Sequence, residues 1–298
     1  MDKITSREAI KSVANTQFTA KIAYEVGEAY ASALINSSIS PKKIIIGKDT
    51  RASGDMIEAA LSAGFCSRGV SVVSLGTIPV PAISWLIKKY KVSGGVAISA
   101  GSENSEYNGV TLFDSSGREL AASEVESLLS DTDVSSSPIP MNDDMGRISR
   151  SHTALRDYVD YVKSTATVDL SGIKIAVDVA FGAGFECAKL VFKELGADVD
   201  MLHNIPNGKN INDNCGILHP DIISKYVTAH RCDIGISFDG ACHDYLASDE
   251  NGKILSSQSI AKIISERQTD FVTSNCGIIE ALKLVCVLKQ SGKKLSQI

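Results

Sequence analysis

The sequence predicts an α/β protein, and three observations carry that reading. Short apolar runs such as Ile44 to Ile46, Val96 to Ile98 and Ile234 to Phe238 have the length of buried strands. Longer segments between them place apolar residues at helical spacing. Loops of glycine and small polar residues join the two, and the strand–loop–helix order occurs in two successive series.

In chain order, Ile22, Val26 and Ala29 predict a first helix over Phe18 to Leu34. Pro41 breaks the chain ahead of the strand Ile44 to Ile46. The loop Gly47 to Gly54 leads to a helix from Asp55 to Ser67, with Ile57, Leu61 and Phe65 on one face. Val70 to Leu75 reads as a strand. Pro79-Val80-Pro81 opens a helix carrying Ile83, Trp85 and Leu86, with Trp85 read as core. The strand Val96 to Ile98 then opens into small and polar residues. Asn108-Gly109 reads as a turn into a second β-run, Val110 to Phe113. Ser123 to Leu129 is a short helix, Ser135 to Pro140 a linker, and Arg156 to Val162 another helix. The second series runs strand Ile173 to Val177, helix Glu186 to Leu195, strand Val199 to Leu202, helix Ile222 to Ala229 and strand Ile234 to Phe238. A hairpin around Asn251-Gly252 joins Tyr245 to Ala247 with Ile254-Leu255. Helices near Ser259 to Arg267 and Gly277 to Lys289 flank an expected short strand, Phe271-Val272. They are too little to enclose a core and are expected to pack on the second series.

Composition narrows the function classes. A chain of 298 residues, 44% hydrophobic and 22% charged, has ordinary globular proportions. A net charge of -5 leaves no basic footprint for nucleic acid. No apolar segment approaches the roughly 20 residues of a membrane helix, and the N-terminus lacks the apolar core of a signal peptide, so a cytoplasmic protein is expected. The seven scattered cysteines form no Cys-x-x-Cys pair and read as reduced, buried thiols.

The stretch Gly95 to Phe113 is the first place to look for chemistry, because a loop of small residues between strands lets a ligand approach the backbone. Together with Ile46 to Gly54, Gly76 to Ala82, Val177 to Gly184, Pro206 to Asn212, Asn214 to Pro220 and Gly235 to Gly240, it resembles the α-D-phosphohexomutase superfamily, most closely its glucosamine-phosphate branch. Order and spacing hold from about Ile44 to Leu255. The resemblance implies two related α/β domains with mixed sheets flanked by helices, over 1–146 and 147–256. It also implies a short helical remnant of a third domain over 257–298, with the fourth absent. Family members move a phosphoryl group through a phosphoserine in domain 1, with a magnesium ion held by three aspartates in domain 2.

The same resemblance exposes departures. The family's Ser-Ala-Ser-His-Asn-Pro appears as Ser99-Ala100-Gly101-Ser102-Glu103-Asn104, which puts Gly101, with no oxygen to phosphorylate, at the phosphoserine position. Ser102 would serve only if the loop slipped by one residue. Thr111 stands for a lysine. The metal loop Asp-Gly-Asp-Gly-Asp-Arg appears as Asp239-Gly240-Ala241-Cys242-His243-Asp244, an incomplete ligand set for magnesium, so no cofactor is expected. The N-terminal Gly-Ile-Arg-Gly signature is not legible around Arg7 to Ala14.

Lys48, Asp49, Arg51, Ser99 and Asn108 are the candidate substrate- and phosphate-loop residues. Their competing role is to hold the loop together, as charged loop residues often do. Asp239, His243 and Asp244 are either a divergent metal site or a solvated turn. The leading expectation is a family member that has lost catalysis and keeps its scaffold for binding or assembly, as a homodimer or with a protein partner. The alternatives are an active mutase interconverting glucosamine 6-phosphate and 1-phosphate through Ser102, and a sensor of hexosamine phosphate.

Overall fold

Ile44, Ile45 and Ile46 are all fully buried, which requires a strand covered on both faces. They lie in β2 (Lys43–Lys48), inside a six-stranded mixed sheet of the computed structural model, which describes residues 11–131, 139–266 and 276–298. The other strands are β1 (Lys11–Val13), β3 (Ser71–Thr77), β4 (Gly94–Ile98), β5 (Tyr107–Phe113) and β6 (Ile148–Arg150), in the order β1-β5-β4-β2-β3-β6. β2, β3, β4 and β6 run parallel, while β5 is antiparallel to both β4 and β1.

Helices cover both faces. α1 (Ala20–Ile35), α2 (Gly54–Ser67) and α4 (Ala122–Asp131) bring Val26, Tyr30, Ile57, Phe65 and Val125 into one core with Ile44, Ile46, Val96 and Ile98. On the opposite face α3 (Val80–Tyr90) sets Ile83 and Ile87 over Gly95 beside Ile45, the alternation a pleated strand imposes.

The contact pattern divides the chain between Ala154 and Leu155 into two compact units. The second holds β7 (Lys174–Asp178), β8 (Asp198–Leu202), β9 (Ile234–Phe238), β10 (Tyr245–Asp249) and β11 (Ile254–Leu255), in the order β11-β10-β9-β7-β8. β8, β7 and β9 are parallel and the hairpin β10–β11 is antiparallel. Its helices are α5 (Ala154–Ser164), α6 (Cys187–Glu194), α7 (Pro220–His230), α8 (Ser257–Ser265) and α9 (Gly277–Ser291). The C-terminal helices do pack on this unit: α9 touches β9, β10 and α8, and the Tyr158 hydroxyl meets Cys276 Sγ at 2.9 Å. Two mixed sheets flanked by helices are the architecture expected from sequence. No helix among the described residues is long and apolar enough to cross a membrane. The strand expected at Phe271-Val272, residues 135–138 of the linker and residues 7–10 of the N-terminal segment lie outside the described residues.

Three local expectations need correction. Asn108-Gly109 is not a turn: both residues sit inside β5, opposite Ser12 and Lys11, because the unforeseen strand β1 pairs there. The first helix starts at Ala20, since the Thr19 side chain accepts the Ile22 N–H and caps it. Trp85 is half-buried rather than core, with the Lys89 ammonium 5.0 Å from its ring centre. All seven cysteines are free thiols, and all but Cys66 are buried.

α1 and α2 meet at glycine. A Cβ on Gly64 would lie 2.3 Å from the Tyr24 carbonyl oxygen, and one on Gly27 would lie 2.5 Å from that of Leu61. Backbone cannot yield as a side chain tip can, so Gly64→Ala should lower unfolding free energy by about 1–3 kcal/mol. Urea unfolding checks this, and an unchanged midpoint would contradict the close contact.

Candidate functional site

The loop between β4 and β5 is held from beneath by one buried arginine. The Arg51 side chain is fully buried, and its guanidinium points into the curve of residues 101–107. Nη2 donates to the carbonyls of Gly101 at 3.1 Å and Glu103 at 2.8 Å. Nη1 donates to the Tyr107 carbonyl at 2.9 Å and to that of Asn104. Nε donates to Asp49 Oδ2 at 2.9 Å. A guanidinium has five N–H donors, so all of Arg51's are engaged within the protein.

Asp49 completes the network. Its carboxylate also accepts the Arg51 N–H at 3.0 Å and the Ser99 hydroxyl at 2.7 Å, and Ser99 Oγ in turn accepts the Gly101 N–H at 3.1 Å. Gly101 therefore has both its N–H and its carbonyl fixed, at φ +61°, in the left-handed region that a side chain disfavours. Asn108, fully buried, donates from Nδ2 to Ser53 Oγ at 2.9 Å. Half-buried Ser102 follows Gly101 at the loop's turn. The structure thus gathers Asp49, Arg51, Ser99 and Gly101 into one network, with Asn108 and Ser53 alongside.

Lys48 is set differently. Its ammonium sits 2.5 Å from Asp55 Oδ1 and also contacts the Glu58 carboxylate. Burial pulls its pKa down, but hydrogen bonds to Asp55 and Glu58 outweigh this and leave it raised. The lysine is committed to the first turns of α2. A cavity of about 450 Å³ opens beside β5, lined by Lys11, Ser99, Thr111, Glu119, Glu126 and other residues. Lys11 pairs with Glu103 at 3.5 Å, so the two glutamates face a cation already partly neutralised.

In the second unit, Asp239 is buried and its carboxylate closes its own loop. Oδ1 accepts the N–H groups of His243 at 2.7 Å and Asp244 at 3.0 Å, and Oδ2 accepts that of Ala241 at 3.3 Å. Burial pushes the Asp239 pKa up against these three donors, which pull it down. The His243 ring lies outside, 3.2 Å from Asp244. Asp239, His243 and Asp244 therefore share a loop whose carboxylate staples backbone. One stapled carboxylate, an alanine and an imidazole do not fit magnesium, which favours several hard oxygen ligands.

The three ligand-type side chains that converge among the described residues are others: Asp178, His203 and Cys215. Sequence reasoning missed them because they come from three separate segments, a strand end and two loops. The available signals were Asp178 at a strand's end and Cys215 in Asn214-Cys215-Gly216.

If Arg51 is the loop's internal brace, Arg51→Ala should cost about 3–5 kcal/mol in urea unfolding, as for a broken buried ion pair. Arg51→Lys should not restore it, since an ammonium cannot span four carbonyls and a carboxylate. A loss below about 1 kcal/mol would mark an exposed, ligand-facing arginine instead.

Comparison with known proteins places this arrangement. Residues 3–136 match the family model for phosphoglucomutase/phosphomannomutase, alpha/beta/alpha domain I. Phosphoglucosamine mutase of Clostridium acetobutylicum is 38% identical over 296 residues, covering 95% of this chain and 66% of the relative. That of Ruminiclostridium cellulolyticum is 41% identical over 267 residues, covering 89% and 59%. The chain thus spans about three-fifths to two-thirds of the curated relatives it matches. Among solved structures, a putative phosphomannomutase from Thermus thermophilus superposes with a TM-score of 0.81 at 17% identity, over 99% of this chain and 82% of that one. A phosphoglucomutase/phosphomannomutase family protein from Burkholderia thailandensis gives 0.74 at 20% identity, over 88% and 58%. Fold and sequence agree: the chain belongs to the α-D-phosphohexomutase superfamily.

Proposed function

We propose that this phosphoglucosamine mutase-like chain does not carry out phosphoryl transfer and keeps the family scaffold for binding or assembly. The observation that carries the reading is the β4–β5 loop. Its register position for the nucleophile is Gly101, which has no side-chain oxygen, and the neighbouring cations Arg51 and Lys48 are spent on internal partners. Removing a catalytic nucleophile alone can cost on the order of a million-fold in rate. The magnesium loop points the same way, since its one in-register carboxylate, Asp239, holds three backbone N–H groups.

Assembly is supported by exposed apolar side chains in the first unit. Ile139, Met141, Met145 and Ile148 are 53–75% exposed, and Ile148 lies on the terminal strand β6 of its sheet. Strand edges and exposed apolar groups of this kind favour contact with another chain. The class of partner is a second copy or another protein. The cavity beside β5, with two glutamates against a paired lysine, suits a hexosamine phosphate poorly.

The purified chain should show no conversion of glucosamine 6-phosphate to the 1-phosphate with magnesium and a bisphosphate activator, alongside a working full-length relative. Turnover that disappears in Ser102→Ala would establish an active mutase instead. Saturable binding of the hexosamine phosphate without turnover would establish a sensor. Native mass spectrometry should find a dimer or a co-purified protein, and Ile148→Lys should weaken that association; a strict monomer would remove the assembly reading.

A further inference from the structure

Asp178 ends β7, His203 directly follows β8, and Cys215 precedes the short 3-10 turn Gly216–Leu218. Since β7 and β8 are parallel neighbours, the first two residues leave the sheet at the same edge, and the Cys215 loop returns to them. One carboxylate oxygen, one imidazole nitrogen and one sulfur lie within 4.8 Å of one another. Asp178 and Cys215 are fully buried, while the His203 side chain is 25% exposed and gives the cluster one side open to solvent.

The donors are oriented by their surroundings. Asp178 Oδ1 accepts the Ala180 N–H at 2.9 Å, and Oδ2 accepts the Gly216 N–H at 3.0 Å. The Phe181 N–H donates to the His203 carbonyl at 2.7 Å, and the Phe181 and His203 rings meet edge-on at 5.0 Å. Outer contacts of this kind fix ligand direction in metal sites. His203 Nδ1 is 3.0 Å from Asp178 Oδ2, and the carboxylate beside it raises the imidazole's pKa. Asp178 and His203 thus already face each other as a ligand pair does, with the Cys215 sulfur beside them.

We propose that Asp178, His203 and Cys215 bind one divalent cation of the zinc class, with solvent completing the tetrahedron. A mixed oxygen, nitrogen and sulfur set suits zinc and disfavours magnesium. Donors each about 2.0–2.3 Å from one ion stand less than about 4 Å apart, so the side chains need to close by only about an ångström. The site adjoins the Asp239 loop, since Gly216 packs on the Phe238 carbonyl, but it uses none of Asp239, His243 and Asp244, and it stands whether or not the chain catalyses phosphoryl transfer.

The full chain, stripped of metal, is titrated with Zn2+ against a chromophoric chelator and with Co2+ followed by absorption. One equivalent should bind, with a thiolate-to-cobalt charge-transfer band and visible bands of tetrahedral cobalt. Cys215→Ser should abolish the charge-transfer band, and His203→Gln should weaken Zn2+ binding at least about 10-fold. Cys66→Ser, in the other unit, should change neither. Absence of stoichiometric binding would overturn the proposal. So would a cobalt spectrum without the thiolate band, or a band that persists in Cys215→Ser. If circular dichroism shows Cys215→Ser unfolded, His203→Gln decides: its ring is partly exposed, and unchanged Zn2+ affinity in that variant would overturn the site.

Discussion

The buried guanidinium of Arg51 is the constraint on which the first unit's functional edge depends. It reaches four carbonyls of one loop and one carboxylate of its own loop, so two chain segments far apart in sequence share a single set of hydrogen bonds. A buried charge of this kind is tolerated only when every donor is matched, and a half-matched one costs more than it contributes. Asp49 and Ser99 complete the matching and pass it to the Gly101 N–H. The shape of the β4–β5 loop is thereby specified without any ligand.

That dependence separates scaffold from chemistry. In a phosphoryl-transfer site, cations must face the substrate and a nucleophilic oxygen must be presented between them. Here the same residue types are turned inward. Arg51 braces, Lys48 ties into α2, and Asp239 staples the loop after β9. These inward contacts are what support the proposal that a member of this superfamily keeps its scaffold without phosphoryl transfer.

The fold was largely legible because it rests on patterns that sequence displays directly. Ile44-Ile45-Ile46 marked a doubly covered strand, and helical spacing located most helices within a few residues. What failed were features decided by distant partners. Asn108-Gly109 has turn chemistry, but pairing with β1 draws it into a strand, and β1 itself is only three residues long. β6 is exposed throughout and carries no alternation to detect. At the candidate site, Gly101 was readable by resemblance, whereas the burial of Arg51 and the direction of its five donors were not. His203 was invisible for a related reason: a lone histidine acquires meaning only when β8 brings it beside Asp178.

The central claim is that the β4–β5 loop persists as structure without a phosphoryl acceptor. It is tested most directly by incubating the purified chain with a labelled hexose bisphosphate and magnesium, then mapping covalent phosphate by peptide mass spectrometry. The account predicts no phosphate on any residue from Ser99 to Ser105. Stoichiometric phosphate on Ser102, chased off by sugar monophosphate, would contradict it.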